Sequence, residues 1–253
     1  MASYKNEETL RELYVEKDMS MAEVADELDC SKQTISTWAN KFNLKTGRLT
    51  DGQRESIELS DRQHQILKGT LMGDGCVVRR SSENRNPQYR ISMKNEEFIR
   101  WLHDELQPLS SSVKRRKGEY ADTLENEQYI LTTYSHPVLK EYADWYKTGQ
   151  KRWPTGEGFT PLELKMLYIT DGSPVKHPDN WAVKISAINE SDRKEAVSKM
   201  FERELGISIS WHSSDSKTNG VIYIPSEQSD MIWNQEPVQG FEYKWPDEVL
   251  ADA

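Results

Sequence analysis

The residues with chemistry in them come in two echoes. Leu-Lys-Gly-Thr-Leu-Met-Gly-Asp-Gly spans residues 67–75, and Leu-Lys-Met-Leu-Tyr-Ile-Thr-Asp-Gly spans residues 164–172. Each is an apolar helical stretch ending on Asp-Gly, at Asp74 and at Asp171. A lone Asp-Gly is usually no more than a helix-ending turn. Two, each in a repeated setting, predict two similar half-domains that present one carboxylate apiece. If the two helices pack side by side, the carboxylates meet. Two close carboxylates repel, so one resists ionising unless a cation lies beside them. Mg²⁺ takes a few carboxylates and completes its shell with water and phosphate oxygens. The expectation is therefore a metal site on Asp74 and Asp171, with the carbonyls of Gly73 and Thr170 as further donors. The second echo is Lys151-Arg152-Trp153-Pro154 against Tyr243-Lys244-Trp245-Pro246, a cation just before Trp-Pro near the end of each half.

The elements that must position these residues are legible around them. Ser60 and Gln63 fit a capping box, so a helix starts at Asp61; Thr160, Pro161 and Glu163 start the second helix in the same way. Gly69 and Gly73 lie four apart on one helical face and let a neighbouring helix approach. Met166 and Thr170 replace them in the second copy, which predicts a slightly wider spacing. After Asp74, residues 76–80 and 88–94 read as strands. In the latter, Arg90, Ser92 and Lys94 alternate with Tyr89, Ile91 and Met93, one face polar and one apolar. A helix over 96–106, strands over 113–117 and 129–134, and a helix over 138–146 complete the first half. In the second half, residues 181–190 echo 89–96, both ending in Asn-Glu. A helix over 191–205, strands over 207–211 and 221–224, and a short helix over 229–233 follow.

At the N-terminus, residues 6–17 read as one helix. Ser20 and Glu23 fit a capping box for the next, and Ser31 caps a third. Val24, Leu28, Ile35 and Trp38 form a small core, with Ala25 where two helices cross. This stretch resembles the helix-turn-helix family, with Asp29 where the turn often carries glycine. The resemblance implies that Ser31, Lys32, Gln33, Ser36 and Thr37 face DNA. The division expected is a helix-turn-helix domain over 1–46, a linker over 47–59, and two halves over 60–159 and 160–253.

The two Asp-Gly motifs resemble those of the LAGLIDADG homing endonucleases, and the similarity extends over about residues 60–247. It implies an α+β fold: a pseudo-two-fold duplicated αββαββα core whose antiparallel saddle sheets straddle double-stranded DNA, preceded by the small all-α domain. It further implies Mg²⁺ or Mn²⁺ at the paired acids, a staggered cut across the minor groove, and a basic residue reaching the scissile phosphate. Matched by motif, that residue is Lys151 or Arg152, and Lys244; Lys94 is kept with the catalytic candidates. The DNA-facing candidates are Arg79, Arg80, Arg90, Ser92 and the run Lys114, Arg115, Arg116 and Lys117, with Lys176, Lys184 and Ser186 in the second half.

Composition bounds the rest. The net charge is −9, which argues against a uniformly basic DNA-binder and puts the weight on local basic patches. Two cysteines make neither a zinc spacing nor a disulfide framework. No apolar run approaches a membrane span, and no signal-peptide core opens the chain, so an intracellular protein acting in the cytoplasm or nucleoid is expected. A monomer without a small-molecule cofactor is expected. A nucleophile at residue 1 and a terminal His-Asn pair are lacking, against an intein. A DNA-binding regulator that has lost catalysis and an intron maturase are the alternatives; a pure binder has no need of two carboxylates facing phosphates.

Overall fold

The computed structural model describes residues 3–17, 19, 21–44, 56–79, 86–116, 127–146, 149–213 and 220–250. The expected capping residue Ser20, the DNA-contact candidates Arg80 and Lys117, and most of the 47–59 linker lie outside them. The chain divides into two compact units, Met1–Gln53 and Arg54–Ala253.

In the smaller unit, α1 (Glu7–Arg11) runs on as a π-helical turn over Glu12–Glu16, so the single helix expected over 6–17 changes its hydrogen-bonding midway. Next come α2 (Met21–Glu27) and α3 (Lys32–Lys41). Leu10, Val24 and Ile35 are fully buried, and Leu28 and Trp38 pack partly buried against them. Ser31 Oγ accepts the Thr34 N–H at 3.1 Å, the expected N-cap of α3. Asp29, in the turn before it, has φ 47°. That is the left-handed region where glycine is the default, but a short polar side chain is tolerated there.

The larger unit repeats one plan. Its first half runs α4 (Asp61–Met72), β1 (Cys76–Val78), β2 (Gln88–Met93), α5 (Glu96–Glu105), β3 (Ser110–Arg116), β4 (Gln128–Thr133) and α6 (Lys140–Ala143). The second runs α7 (Pro161–Asp171), β5 (Gly172–Lys176), β6 (Trp181–Ser186), α8 (Lys194–Leu205), β7 (Ser210–His212), β8 (Val221–Ile224), α9 (Ser226–Trp233) and α10 (Asp247–Leu250). The two sheets are antiparallel with the same strand order, β1-β2-β4-β3 and β5-β6-β8-β7. The helix expected over 138–146 is broken: one turn of α6 lies between 3-10 turns at Pro137–Leu139 and Asp144–Tyr146. This winding brings Leu139, Tyr142, Ala143 and Trp145 all into the core. The helix expected from residue 191 begins at Lys194, because Ile188–Glu190 is a 3-10 turn that buries Glu190 completely.

The helices α4 and α7 pack against each other at the middle of this unit. Both start with complete capping boxes, Ser60 with Gln63 and Thr160 with Glu163. Leu164, Met166, Leu167, Tyr168 and Ile169 are all buried, as expected of a helix apolar on every side. The wider spacing expected from Met166 and Thr170 does not occur. A Cβ added at Gly69 would lie 2.5 Å from both the Glu163 carbonyl oxygen and Met166 Cβ, and one at Gly73 would fall inside the Thr170 side chain. One glycine at each crossing point is enough for close approach, because the larger partner fills the space its neighbour leaves.

Candidate active site and nucleic-acid interface

Helix α4 ends over its own sheet. The Thr70 hydroxyl donates to the Ile66 carbonyl at 2.8 Å and accepts from the buried Tyr89 hydroxyl at 2.8 Å. Gly75 N–H then turns back to the Thr70 carbonyl at 2.8 Å. A Cβ at Gly75 would meet that carbonyl oxygen at 2.8 Å and the Tyr89 ring at 2.9 Å, so the residue after Asp74 must be glycine. Asp171, the last residue of α7, feeds directly into β5.

Two lysines return to these helix ends. The Lys151 ammonium donates to the Gly73 carbonyl and, at 3.1 Å, to the Gly75 carbonyl. The Lys244 ammonium donates to the carbonyls of Ile169 at 2.6 Å, Gly172 at 2.8 Å and Tyr168 at 3.3 Å. Carbonyls at a helix C-terminus lack intrahelical donors and carry the negative end of the helix dipole, so a cation is favoured there. The Tyr168 hydroxyl donates to the Lys244 carbonyl at 2.6 Å, and Trp153 Nε1 donates to the Met72 carbonyl at 2.8 Å. The two Trp-Pro segments thus bind the two motif helices.

The four charged groups feel one another. Burial, and then the Asp74 charge, push Asp171 up to about 6, while Lys151 and Lys244 oppose the rise. Asp74 is also raised by burial against the pull of both lysines, although its outer edge is exposed to solvent. Burial lowers Lys151, and lowers Lys244 to about 8, while both acids oppose those shifts. Near neutral pH, two carboxylates and two ammoniums converge.

The donor set fits a hard divalent cation. Among the described residues no group of three or more His, Cys, Asp or Glu side chains comes together to hold a metal. Such an ion would therefore have two carboxylates and would draw its remaining ligands from water and phosphate. It would also relieve the repulsion between Asp74 and Asp171. The Gly73 carbonyl already accepts from Lys151. Thr170 turns its hydroxyl back to the Met166 carbonyl at 3.0 Å.

The other candidates are sorted by strand alternation. Cys76 and Thr132 flank Arg90, and Thr132 in turn faces Ser112. Arg90, Ser92, Lys114 and Arg116 therefore share one face of the first sheet, opposite the buried Tyr89 and Ile91. Arg115 is on the other face in a charged pair with Glu127, Nε donating at 2.8 Å. Arg79 is exposed just beyond β1, and Lys94 is exposed just beyond β2, outside the group formed by the two acids and two lysines. In the second sheet, Asp171, Ser173, Lys184, Ser186, His212 and Tyr223 line one groove. Lys176 faces away, 3.2 Å from Glu248 and over the Trp181 ring. Arg152 pairs with Asp192 at 2.6 and 3.0 Å and is not at the acids. In α3, Lys32, Gln33 and Thr37 are exposed and Ser36 is half-buried.

Sequence reasoning missed Glu190, Arg193 and Asn95, which grip the lysine-bearing segments. The repeated Asn-Glu at 95–96 and 189–190 was the available signal.

The profile of the LAGLIDADG DNA endonuclease family matches residues 64–232. The chain belongs to this family. Both LAGLIDADG motifs fall inside the match, as do the eight strands among the described residues of the larger unit. Among curated proteins, the chain is 22% identical over 186 residues to the uncharacterized protein MJ1098 of Methanocaldococcus jannaschii, covering 69% of each. It is 24% identical over 148 residues to Protein RecA of Mycobacterium shimoidei, covering 56% of this chain and 33% of that protein. Among solved structures, the homing endonuclease I-WcaI bound to its DNA recognition sequence superposes with a TM-score of 0.61 at 16% identity. That likeness covers 83% of this chain and 96% of I-WcaI, and at this identity it establishes the shared LAGLIDADG fold. No described helix is long and apolar enough to cross a membrane.

Proposed function

We propose that this chain is a site-specific double-strand DNA endonuclease that hydrolyses phosphodiesters where α4 and α7 end. The observation that carries the reading is the convergence of Asp74 and Asp171 with Lys151 and Lys244, each lysine brought in by its own Trp-Pro segment. A phosphodiester resists hydrolysis because its charge repels nucleophiles. A divalent cation such as Mg²⁺ or Mn²⁺, held by the two aspartates, would lower the pKa of an attacking water and offset charge on the phosphate. Asp74 and Asp171 hold their carboxylates at fixed helix ends, so little reorganisation is needed. Lys151 and Lys244 place positive charge where negative charge develops in the transition state. The near-symmetry supports one cutting centre per strand of the duplex.

Binding is assigned to the open faces of the two sheets, with Arg90, Lys114 and Arg116 on the first and Lys184, Ser186 and Tyr223 on the second. The exposed residues of α3 in a helix-turn-helix would add further binding to the duplex. Removing one cation that neutralises a phosphate lowers the salt dependence of binding by about one unit. Lys114→Ala with Arg116→Ala should flatten the slope of log K against log salt by about two, whereas Arg115→Ala should leave it unchanged. Anisotropy titrations at several salt concentrations measure this, and an equal effect of Arg115→Ala would contradict the assignment of faces.

The test of function uses supercoiled DNA bearing the gene's own flanking sequence, with Mg²⁺ or with EDTA. Metal-dependent linearisation at one site is expected. Specific binding without cutting at any metal concentration would favour the regulator instead.

A further inference from the structure

The segments that deliver the two lysines are held by the opposite half of the core. Residues 150–153, near the end of the first half, meet the second half at Asn189–Arg193. Gln150 donates to the Asn189 side chain at 2.9 Å, and Arg152 donates to the Asn189 carbonyl and to Asp192. The Trp153 N–H donates to Glu190 at 2.9 Å, and Arg193 donates to the Trp153 carbonyl at 2.8 Å while pairing with Glu190 at 2.9 Å. Glu190 is fully buried, with a relative exposure of 0%. The residue two positions before Trp153 is Lys151.

The reciprocal contact uses the same point of the repeat. Asn95, at the end of the corresponding stretch of the first half, donates its amide to the Gly240 carbonyl. Its oxygen accepts the Phe98 N–H at 3.0 Å and so caps α5. A Cβ at Gly240, whose φ is +84°, would collide with the Asn95 side chain. Phe241 meets Phe98 edge-on at 5.1 Å between ring centres. Lys244 follows within one short turn, Glu242–Lys244.

Resting on the endonuclease reading, we infer that each half positions the other half's lysine: Glu190 with Arg193 sets Lys151, and Asn95 sets Lys244. Glu190, Arg193 and Asn95 are positioning residues, since they touch the lysine-bearing backbone and not the acids. A buried carboxylate accepting one defined backbone N–H fixes a segment more tightly than a surface contact does. The two clamps differ in kind. The Lys151 clamp is built on charged pairs, and the Lys244 clamp on a neutral amide and an aromatic contact.

The full chain tests this on a duplex labelled separately on each strand. Lys151→Met identifies the strand that depends on Lys151, and Lys244→Met identifies the other. Glu190→Ala should slow the Lys151-dependent strand by about 10- to 100-fold, the scale of a small misplacement at a reacting centre, and leave nicked product. Asn95→Ala should slow the opposite strand. Glu190→Gln keeps an acceptor for the Trp153 N–H and should restore most of the balance. Asp192→Asn, at an exposed pair, should shift the balance slightly while the fold is kept. Equal slowing of both strands by Glu190→Ala, or no slowing, would overturn the inference.

A second readout does not need cleavage. Acylation of lysines by an amine-reactive ester, mapped by mass spectrometry, should rise selectively at Lys151 in Glu190→Ala and at Lys244 in Asn95→Ala. If wild type cuts no DNA but these reactivities change as stated, the endonuclease reading fails and the crossed positioning stands. If neither lysine changes, the crossed positioning fails whatever the protein does to DNA.

Discussion

Asp171→Asn should reduce cleavage on the order of 10³-fold and, without divalent metal at pH 8, raise the melting temperature. The two effects share one cause. Burial and the neighbouring Asp74 hold Asp171 at about 6 in the folded chain, above the value of about 3.9 for an unfolded aspartate. The folded state therefore binds this proton more tightly than the unfolded state. The stability cost of ionising Asp171 is absent below pH ~4, grows as pH rises through about 6, and is complete above it. A shift of this size corresponds to about 3 kcal/mol, with the pull of Lys151 and Lys244 already included, and solvent screening at this partly exposed site reduces it. A net gain of about 1–2 kcal/mol is expected for Asp171→Asn at pH 8. At pH 4 the variant and wild type should melt together. Mg²⁺ should raise the melting temperature of wild type at pH 8 and have little effect on the variant. Calorimetry over pH 4–8 decides it. A destabilised Asp171→Asn at pH 8 would mark the acid as a structural residue and remove the ground for a metal there.

Gly69→Ala should destabilise the larger unit by about 3 kcal/mol, at the upper end of overpacking penalties. The new methyl has no empty space. It would lie 2.5 Å from the Glu163 carbonyl oxygen and from Met166 Cβ, and 2.9 Å from Glu163 Cα. Two of these three atoms are backbone, so no side-chain rotation relieves the clash and α4 must move away from α7. That movement separates the aspartates the helices carry. Cleavage should fall further than the loss of folded protein accounts for, while α3 and its surroundings, in the other compact unit, are unchanged. Denaturant titration alongside cleavage at a temperature where the variant is fully folded separates the two. Wild-type cleavage from a folded Gly69→Ala would show that the helix contact does not set the distance between the acids.

Local rules made the frame readable. Ser60 with Gln63 and Thr160 with Glu163 announced both motif helices because a capping box is written in four consecutive residues. Gln88–Met93 announced a strand with one open face because side chains alternate every residue. The antiparallel saddle sheets of two similar halves followed from the family likeness, whereas the order β1-β2-β4-β3 became visible only in the structure. What the sequence left unread depends on contacts distant in the chain. Arg152, immediately before Trp153, is the spacing match for Lys244 before Trp245, yet Lys151 takes the place at the helix end. Arg152 is drawn off by Asp192, forty residues later. Within the basic run, alternation alone could have separated Arg115 from Lys114 and Arg116; Glu127 confirms the split across the sheet. Lys176 is claimed by Glu248 from the far end of the chain. Glu190 drew no reading as a site residue, since a carboxylate in a polar turn is usually exposed, whereas here it is fully buried.

Both motif helices, and both clamps between the halves, belong to one covalent chain. Assembly of the paired acids is therefore first order and independent of dilution. A site shared between two separate chains would empty as the protein concentration fell below their dissociation constant. Here the partner helix is always present at the effective concentration its tether imposes. One molecule in a cell carries a complete pair. Each copy of the repeat is also free to change without its change appearing twice, and the sheets record this: Arg90, Lys114 and Arg116 line one open face, and Lys184 with Tyr223 lines the other.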